Sequence, residues 1–525
     1  MIFRYFLLHR RMRCAIQLFA LTSLAMLAGC KPTEAAAGAY CQDRFTVSLA
    51  DRNVLSVPEG HPVARPLSPV FFGFNMEWVD FQQDLWDASK QSVKPEVIAW
   101  LKPFSGTPYR YPGGTGSNYL DWKETVGPLD ERPMRTHADW LPPFSPQFGF
   151  DEYLNFVKTV DGKAWIVLNL YGDYSGEGDK ALLVERAAEW AAYADKAREA
   201  GALPILRWEL GNELDRGRIK WPPEKYADIA RSVARAVKQA TPDAELVGML
   251  QDWPAQSSYS MDKYNQIVMS GLKTVAQDFA HHFYYEGLTW ETVGQRMEQA
   301  CSTVESARLS NNKFQKLWIT EHGRNLPESE TIEERNRNWR KTVNLEAALI
   351  IAEAYIAATK LPEIESLFLH SLGTAHGPWP LFHGENDGGL HPSAVYWALR
   401  ILRDSMLPEV LVSNMQSRDD EKSLGGHDIR ATVMTNESRD SYAVWAINRF
   451  GETSSLKLSL PGLKGAKVMS RQVFIGDANK EANNYASADR IQPQQMEKTM
   501  EFDAEGTAVI DLPAYSVSAI TFHVE

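Results

Sequence analysis

The sequence predicts an α/β fold: a (β/α)8 TIM barrel over residues 66–408, followed by a β-sandwich domain over residues 409–525. Short apolar runs alternate with helical patterns from about residue 71 to residue 371, as expected for a barrel of parallel strands. A doubly wound open sheet is the alternative, but it usually carries a Gly-rich phosphate loop after its first strand, where this chain reads FFGFNMEW. Beyond residue 409 the helical stripes end, and runs such as SYAVWAINR alternate apolar and polar residues, which is typical of sandwich strands.

The barrel prediction depends on strands and helices that follow one another in order. The predicted strands are residues 71–75, 108–114, 164–170, 204–210, 244–250, 278–285, 316–322 and 365–371. The clearest helices are predicted over residues 181–200, from about Pro223 onward, and over about 339–359, because apolar residues recur there at helical spacing.

The N-terminus has the pattern of a lipoprotein signal peptide over residues 1–30. A basic segment precedes an apolar stretch, and LAGC at residues 27–30 resembles the bacterial lipobox. The resemblance implies a lipid anchor on Cys30, and Lys31 after it favours the outer membrane, so we expect a protein of the bacterial cell envelope, periplasmic or surface-exposed. A simply cleaved signal or an uncleaved anchor is the alternative, and Met12 could be the true start. Residues 31–65 are predicted to be a tether, within which residues 44–57 could add a strand to the sandwich.

Charge and cysteine content exclude several classes of function. The chain of 525 residues carries a net charge of −12, which loss of residues 1–29 would lower to −16. So acidic a surface argues against a nucleic-acid partner. Cys41 and Cys301 could form a disulfide, although sequence alone does not show that they meet. Since no CxxC or HExxH motif occurs, we predict no metal site and no cofactor, and the oligomeric state is not predicted.

Two carboxylates directly follow apolar strands. Asn212-Glu213 ends the fourth predicted strand, and Glu321 ends the run LWIT of the seventh. In a closed barrel these strands face each other across the mouth, at the end where active sites lie. Two such carboxylates can cleave a glycosidic bond, one as proton donor and one as nucleophile, and a separation of about 5–5.5 Å gives retention of configuration.

Several motifs resemble those of clan A retaining glycoside hydrolases, in particular the group of α-L-arabinofuranosidases, β-xylosidases and heparanase-like β-glucuronidases. The resemblance covers the barrel and the sandwich. It is carried by Gly211-Asn212-Glu213 with Glu321, by YRYPGG at residues 109–114 followed by Asn118 and Trp122, by His282-Phe283-Tyr284, by FGFNME at residues 72–77 and by the terminal LPAYSVSAITF.

The resemblance implies a role for each of these residues. Glu213 would be the acid/base and Glu321 the nucleophile, while Asn212 would bind the 2-hydroxyl of the sugar. Tyr284 and Arg110 would hydrogen-bond Glu321, and His282 would line the same site. The alternatives are structural: Glu213 could cap a turn, and Arg110 could serve only as an ion-pair partner.

Aromatic residues near strand ends are candidates for stacking on a sugar ring. Trp379, in the Gly-Pro-Trp-Pro segment after the eighth strand, is the first candidate, and Trp78 after the first strand is the second. Glu77 beside Trp78 would hydrogen-bond sugar hydroxyls. Core packing is the alternative for every tryptophan.

The sequence therefore predicts a glycoside hydrolase acting by double displacement on polysaccharide or oligosaccharide. A non-catalytic glycan-binding surface lipoprotein is one alternative, and a polysaccharide lyase using Tyr284, His282 and Arg324 is another. The sugar is not predicted, since arabinofuranosidases, xylosidases, galactosidases and glucuronidases share these motifs. The chain also departs from the arabinofuranosidase pattern, because Tyr111 precedes Pro-Gly-Gly where Trp is frequent.

Overall fold

A closed barrel of eight parallel strands forms the centre of the molecule and confirms the predicted fold class. The computed structural model describes residues 41, 44–45 and 47–524, apart from 61, 138–141, 253–257, 277, 287–289, 310–315, 327–328, 330, 374–377, 385–388, 420–426 and 486. The barrel strands, in chain order and in order around the ring, are β4 (Phe72–Asn75), β7 (Pro108–Tyr111), β8 (Lys163–Leu168), β11 (Ile205–Leu210), β12 (Leu246–Met249), β13 (Asp278–Glu286), β14 (Leu317–Asn325) and β15 (Ile364–His370).

Helices surround the barrel and connect its strands. They are α1 (Trp78–Asp84), α2 (Pro95–Leu101), α3 (Phe150–Thr159), α4 (Lys180–Glu199), α5 (Pro223–Ala240), α6 (Met261–Leu272), α7 (Trp290–Leu309), α8 (Ile332–Lys341), α9 (Leu345–Ala358) and α10 (Ala394–Asp404). Short 3-10 helices occupy residues 102–104, 115–118, 122–125 and 461–463. Within the described residues, the loops contain three two-stranded hairpins: β5 (Trp86–Asp87) with β6 (Ser92–Val93), β9 (Gly172–Asp173) with β10 (Gly176–Glu177), and β16 (Phe382–Gly384) with β17 (Leu390–Pro392).

The continuous helix predicted over residues 339–359 is instead two helices. Helix α8 ends at Lys341, and α9 begins after Asn344, whose side chain accepts a hydrogen bond from the backbone N–H of Ala347. An Asn side chain at a helix start satisfies a backbone donor that would otherwise lack a partner, so the chain can break there at little cost.

Two sheets form the sandwich, and both contain strands from the N-terminal side of the barrel. The five-stranded sheet has the order β1 (Ser48–Leu49), β19 (Asn414–Ser417), β2 (Asn53–Ser56), β22 (Ser454–Ser459) and β25 (Thr507–Leu512). The seven-stranded sheet has the order β24 (Gln494–Glu501), β23 (Lys467–Gly476), β26 (Ser516–His523), β21 (Ser441–Asn448), β20 (Ile429–Thr435), β18 (Glu409–Leu411) and β3 (Ala64–Pro66). The barrel is thus inserted between the first and the later strands of the sandwich.

Helix α9 joins the two domains. All fourteen of its residues are buried, because one side contacts the barrel and the other packs against the seven-stranded sheet. Its Glu353 forms buried ion pairs with Arg430 and Arg449 and a hydrogen bond with His427, which come from the sandwich side. A buried carboxylate needs such partners to offset its loss of hydration, so the junction is held by charge as well as by apolar packing.

The N-terminal segment is also attached to the barrel. A disulfide joins Cys41 to Cys301 of α7, across 260 residues of sequence. None of the described helices combines the length and the apolar composition that crossing a membrane would require.

Candidate active site

The carboxyl ends of the barrel strands and the loops after them place five of the predicted residues around one cavity of about 980 Å³: Glu77, Glu213, Tyr284, Glu321 and Trp379. Glu213 follows β11, Glu321 lies in β14, and Tyr284 lies in β13, and all three line this cavity. In the sheet register His282 of β13 lies beside Glu321 of β14. Strand alternation sends His282 and Tyr284 into the barrel mouth, whereas His281, Phe283 and Tyr285 are buried in the protein core.

Glu321 accepts two hydrogen bonds, one on each carboxylate oxygen. Arg110 donates to Oε1 at 2.8 Å, and the Tyr284 hydroxyl donates to Oε2 at 2.7 Å. Burial alone would raise the pKa of Glu321, but the charges of His282, His370 and Arg110 outweigh it and hold the pKa well below its usual range. Glu321 is therefore ionised at neutral pH and fixed in orientation, as a nucleophilic carboxylate must be.

Glu213 is held from the opposite side of the cavity. His282 Nδ1 lies 2.8 Å from Glu213 Oε1, and Arg216 lies 3.5 Å from the same oxygen. Burial raises the pKa of Glu213, but the charges of Arg216 and His282 lower it by more. The pKa of Glu213 is therefore below its usual value. The backbone at Glu213 has φ of 45°, an unfavourable conformation for a residue with a side chain, and such strain is concentrated at functional sites.

His282 lies between the two carboxylates. Its Nδ1 is 2.8 Å from Glu213 and 3.5 Å from Glu321. Burial lowers the pKa of His282, but the charges of Glu321 and Glu213 raise it more, to about 8. His282 is therefore protonated at neutral pH and holds a proton within hydrogen-bonding distance of Glu213.

The two carboxylates approach each other closely. The facing oxygens of Glu213 and Glu321 and a nitrogen of His282 lie within 4.8 Å of one another. These three donors are also the group that could hold a metal ion among the described residues. The Arg110 guanidinium against Glu321 and the proton on His282 both oppose a further cation, so the arrangement suits a sugar between two carboxylates better than a metal.

Arg110 contacts one of the two candidate catalytic carboxylates and several structural groups. Its guanidinium donates to Glu209 through two nitrogens at 2.7 and 3.0 Å, to Asn75 at 2.9 Å and to Asn212 at 2.7 Å, besides Glu321. Glu209, inside the barrel, also accepts from the Trp165 indole at 2.8 Å. The fixed fork of an arginine matches several acceptors at once, so this one side chain sets the positions of the groups around it.

Asn212 is positioned with one free donor. Its Oδ1 accepts from Arg110, and its backbone carbonyl accepts from Asn118 at 2.8 Å. Its Nδ2 is buried and has no hydrogen-bond partner among the described residues. A buried amide donor without a partner is costly unless a ligand completes it, which fits the predicted contact with a sugar hydroxyl.

Glu77 also lines the cavity and, like Asn212, has a buried polar atom that a ligand can complete. Burial, followed by the nearby charges of Asp80 and Glu321, raises its pKa well above the usual range. Its Oε1 has no partner within the described part of the chain. Gly114 packs so closely on this carboxylate that a Cβ there would collide with it, and φ of 55° at Gly114 also favours glycine. The raised pKa favours the protonated form of Glu77, which can donate a hydrogen bond to a sugar hydroxyl.

His370, at the end of β15, is a site residue that the sequence analysis missed. Its Nδ1 lies 2.5 Å from Asn75 Nδ2 and 3.6 Å from Glu321, and its Nε2 lies 3.9 Å from Glu77. Asn75 and His370 are polar residues that end apolar strands, the same signal that identified Glu213 and Glu321. Applied to every strand, this signal would have found both.

Trp379 lines the cavity, but the structure contradicts the prediction for Trp78. The Trp379 ring packs against Tyr284 and His370, each with ring centres 5.2 Å apart, and leaves part of its surface open to the cavity. Trp78 is fully buried against His137 and Phe144, so it cannot stack on a sugar. It is the first residue of α1 and turns inward, because the helix begins directly after Glu77.

A second tryptophan reaches the cavity from helix α8. Trp339 lines it with Arg335, whose guanidinium lies over the indole at 5.1 Å. No residue of α8 is buried, so the helix lies on the barrel mouth rather than in its wall. Sequence alone did not point to these two residues because they lie in a connecting helix far from any strand end.

Three other polar residues of the barrel strands lie outside the cavity. His322 is buried against Tyr355, and Arg324 is bound to Glu346 at 2.6 Å, so neither lines the cavity. Arg207 pairs with Asp278 near the start of β13, away from the barrel mouth. Arg324 therefore cannot serve as the charge-neutralising group of the alternative lyase hypothesis.

Comparison with known proteins agrees with this geometry. A sequence profile described as "Alpha-L-arabinofuranosidase 1 domain" matches residues 100–297. An intracellular exo-α-(1→5)-L-arabinofuranosidase of Streptomyces lividans is 24% identical over 81% of this chain and 68% of its own length. A Bifidobacterium longum enzyme of the same name is 22% identical over 94% of this chain and 96% of its own. The crystal structure of a Thermotoga maritima α-L-arabinofuranosidase in complex with arabinose superposes with a TM-score of 0.73 at 16% identity, covering 89% of this chain and 99% of that one.

Barrel, sandwich, site and similarities together define a class: the protein is a glycoside hydrolase, and it resembles those of clan A. Within that class the chain resembles the α-L-arabinofuranosidases. The comparisons support neither a non-catalytic binding protein nor a lyase.

The predicted location in the bacterial cell envelope, as an outer-membrane lipoprotein, is wrong. The Streptomyces lividans and Bifidobacterium longum relatives are both named intracellular enzymes. The prediction depended on residues 1–30, and Cys30 lies outside the described residues. The lipid anchor and the membrane as a partner have no support from the comparisons.

Proposed function

We propose that the protein hydrolyses α-L-arabinofuranosidic bonds with retention of configuration, with Glu321 as nucleophile and Glu213 as acid/base. One observation carries the proposal: facing oxygens of Glu213 and Glu321 lie within 4.8 Å across a single cavity. That spacing leaves no room for a water molecule beside a sugar between them, which favours direct attack by a carboxylate. The names of the similar proteins support arabinofuranose as the sugar.

The contacts of the two carboxylates support the assignment of their roles. Glu321 receives donors on both oxygens and has a depressed pKa, which suits a permanently ionised nucleophile. Glu213 instead shares its hydrogen bond with protonated His282. Transfer of that proton along the 2.8 Å contact gives Glu213 the acid form that the leaving oxygen needs.

The first step would form a bond between Glu321 and the anomeric carbon while Glu213 protonates the departing oxygen. In the second step Glu213, now a base, would take a proton from water, which attacks the same carbon and releases Glu321. Asn212 and Glu77 would hold sugar hydroxyls, and Trp379 would cover one face of the ring. Arg110 and Tyr284 would keep Glu321 oriented throughout.

The remaining space in the cavity suits the leaving group. The lining includes Trp339 and Arg335 of α8 and Asp80 and Asp84 of α1. An indole face on the barrel rim can stack on the next sugar of a chain. We therefore assign Trp339 to the leaving-group side of the cleft.

The experiment is hydrolysis of a panel of aryl glycosides by the wild type, Glu213→Ala and Glu321→Ala. We expect the arabinofuranoside to be cleaved fastest and each variant to lose about 10³-fold or more in kcat. Azide should rescue Glu321→Ala to give a glycosyl azide of inverted configuration, and Glu213→Ala to give one of retained configuration. Glu185→Gln, an exposed change on α4, is the matched control and should behave as the wild type.

Two results would contradict the proposal. Full activity of either alanine variant would refute the assigned roles, and an inverted product from the wild-type enzyme would refute retention. Cleavage of a different glycoside in preference to the arabinofuranoside would refute the sugar alone.

A further inference from the structure

A second cavity, of about 490 Å³, lies at the junction of the barrel and the sandwich. We call it the junction pocket; its floor is the end of α9, and its walls are the edge strands β1 and β3 and the turn between β18 and β19. Lys360 in this pocket lies just before the start of β15, whereas Glu321 and His370 lie towards the other ends of their strands. The junction pocket is therefore at the opposite end of the barrel from the active site.

The lining of the junction pocket is basic. Arg44, Arg65 and Lys360 all line it, and no carboxylate does so among the described residues. Arg65 and Lys360 form no ion pair with any described residue. Such convergence of cations is unexpected on a chain whose net charge is −12, because like charges repel unless an anion accompanies them.

Glu353, buried behind the pocket, is already engaged by other side chains. It pairs with Arg430 and Arg449 and forms a hydrogen bond with His427. Arg430 also donates to the carbonyl of Phe45 at 3.0 Å, next to Arg44 in the chain. Glu353 therefore does not serve as the counter-ion of Arg65 or Lys360.

The pocket is built in a fixed geometry rather than by loose surface side chains. Arg44 donates from Nε to the carbonyl of Lys360 at 2.8 Å, which fixes the guanidinium against the end of α9. Arg65 belongs to β3, whose register with β18 pairs it with Val410. Neutral hydrogen-bonding groups complete the lining: Ser48, Thr359, Ser413 and Asn414.

We propose that the junction pocket binds a small oxyanion, the chemistry shared by sulfate, phosphate and the carboxylate of a sugar acid. Arginine forks and a lysine ammonium supply charge-assisted hydrogen bonds, and the hydroxyl and amide groups supply the remaining donors. Binding there would bridge the N-terminal segment, the barrel and the sandwich. The proposal is independent of the glycosidase chemistry.

Lys360 gives the site a signature that a non-specific ion would lack. Burial, with the charges of Arg430 and Arg44, lowers the pKa of Lys360 to about 7. The other groups that face it are cationic Arg65 and the neutral Ser48, Thr359 and Asn414. A bound oxyanion favours the ammonium form and raises this pKa, so binding above neutral pH should take up a proton.

The test is calorimetric titration of the full chain with sulfate, which does not titrate near neutral pH. We expect saturable binding, weakened about tenfold or more by Arg65→Gln and by Lys360→Met and reduced by added sodium chloride. At pH 8, heats measured in two buffers of different ionisation enthalpy should reveal proton uptake, which Lys360→Met should abolish and Arg65→Gln should retain. Arg471→Gln, which removes an exposed arginine from β23, is the matched control.

Turnover of an aryl arabinofuranoside by each variant shows that the protein is folded, since none of these residues lies near the active site. A parallel titration with galacturonate separates the sources: tighter binding than sulfate assigns the pocket to a sugar acid, and weaker binding assigns it to an inorganic anion. The absence of saturable binding of either at millimolar concentration would overturn the proposal. Equal sulfate affinity of the wild type and the double variant Arg65→Gln/Lys360→Met would do the same.

Discussion

A single imidazole between two carboxylates determines how this site distributes its protons. His282 contacts Glu213 and Glu321 with the same nitrogen, so its charge stabilises both ionised carboxylates. Glu321 keeps its charge through Arg110 and Tyr284 as well, whereas Glu213 depends on His282 and Arg216. Two carboxylates of the same type therefore have different environments, which is the condition for different roles.

His282→Gln should change how stability depends on pH. The pKa of His282 is about 8 in the folded protein against an ordinary value of 6.5. Since the folded pKa is raised, the stabilisation is complete below about pH 6.5 and is lost as pH rises through about 8. The gap between wild type and variant in unfolding free energy should be about 2 kcal/mol at pH 6 and smaller at pH 9, measured by urea denaturation.

His281→Gln is the matched control for that experiment. Burial lowers the pKa of His281 to about 3, so this histidine is neutral in the folded state. Its contribution to the free energy of unfolding therefore cannot fall as pH rises. Loss of the proton from His282 should also affect catalysis, so kcat/KM of the wild type should decline above about pH 8. A stability gap for His282→Gln that stays constant from pH 6 to 9 would contradict the assignment of a charged imidazole.

At the scale of elements, the barrel strands and the loops after them supply the candidate catalytic groups, and one connecting helix forms part of the cleft wall. Helix α8 has no buried residue, yet it places Trp339 and Arg335 in the cavity. Its position is held from neighbouring segments, since Thr342 just beyond it accepts a hydrogen bond from the backbone of Trp379 at 2.8 Å. The helix can thus shape the cleft without forming part of the core.

Trp339→Ala should separate binding of the leaving group from the chemical step. We expect KM for an arabino-oligosaccharide to rise about tenfold, because one aromatic stacking contact contributes about 1–1.5 kcal/mol. The kcat for a small aryl arabinofuranoside should change by less than about twofold, since Trp339 does not touch the two carboxylates. Steady-state kinetics on both substrates measure this, and Trp339→Phe should restore most of the loss. An equal loss of kcat/KM on both substrates would show that Trp339 supports the structure of the barrel mouth rather than binding the leaving group.

Much of the fold was predictable because apolar periodicity depends on local sequence. All eight barrel strands overlap the predicted runs, since each is a short apolar segment bounded by a helix or a turn. Trp78 was wrongly expected in the site because sequence does not show whether a residue after a strand turns outward or back into the core. The break between α8 and α9 was missed because Thr342, Val343 and Asn344 interrupt the helical stripe without a Gly or Pro.

The partners of the two candidate catalytic carboxylates were less predictable than the carboxylates themselves. Glu213 and Glu321 each follow an apolar run and are visible in the sequence as polar residues after it. Glu209 lies within its strand, and its contact with Arg110 depends on the closure of the barrel across 99 residues of sequence. Contacts of that kind follow from the register of distant strands, which no single segment of sequence contains.

At the scale of the whole molecule, helix α9 binds the barrel to the sandwich through a buried charge cluster. Glu353 forms ion pairs with Arg430 and Arg449 and a hydrogen bond with His427, and all four side chains are buried. Removal of the carboxylate would leave two guanidinium groups buried without their charge partner. The junction is thus a place where one substitution affects both domains.

Glu353→Gln should lower the free energy of unfolding by about 3–5 kcal/mol, since breaking a buried ion pair leaves an uncompensated charge. Urea denaturation followed by tryptophan fluorescence measures the loss. Glu346→Gln is the matched control on the same helix; it lies nearer the surface, pairs with Arg324 and Lys480, and should cost less. A loss below about 1 kcal/mol in Glu353→Gln would show that apolar packing alone holds the domains together.

The insertion of the barrel between sandwich strands has a consequence for biosynthesis. Strands β1 and β2 leave the ribosome before the barrel, but the β19 and β22 with which they pair come more than 350 residues later. At ordinary rates of translation the wait is on the order of tens of seconds. The nascent chain must therefore keep two unpaired strand edges from aggregating while the barrel folds, because their partners are synthesised only with residues 414–459.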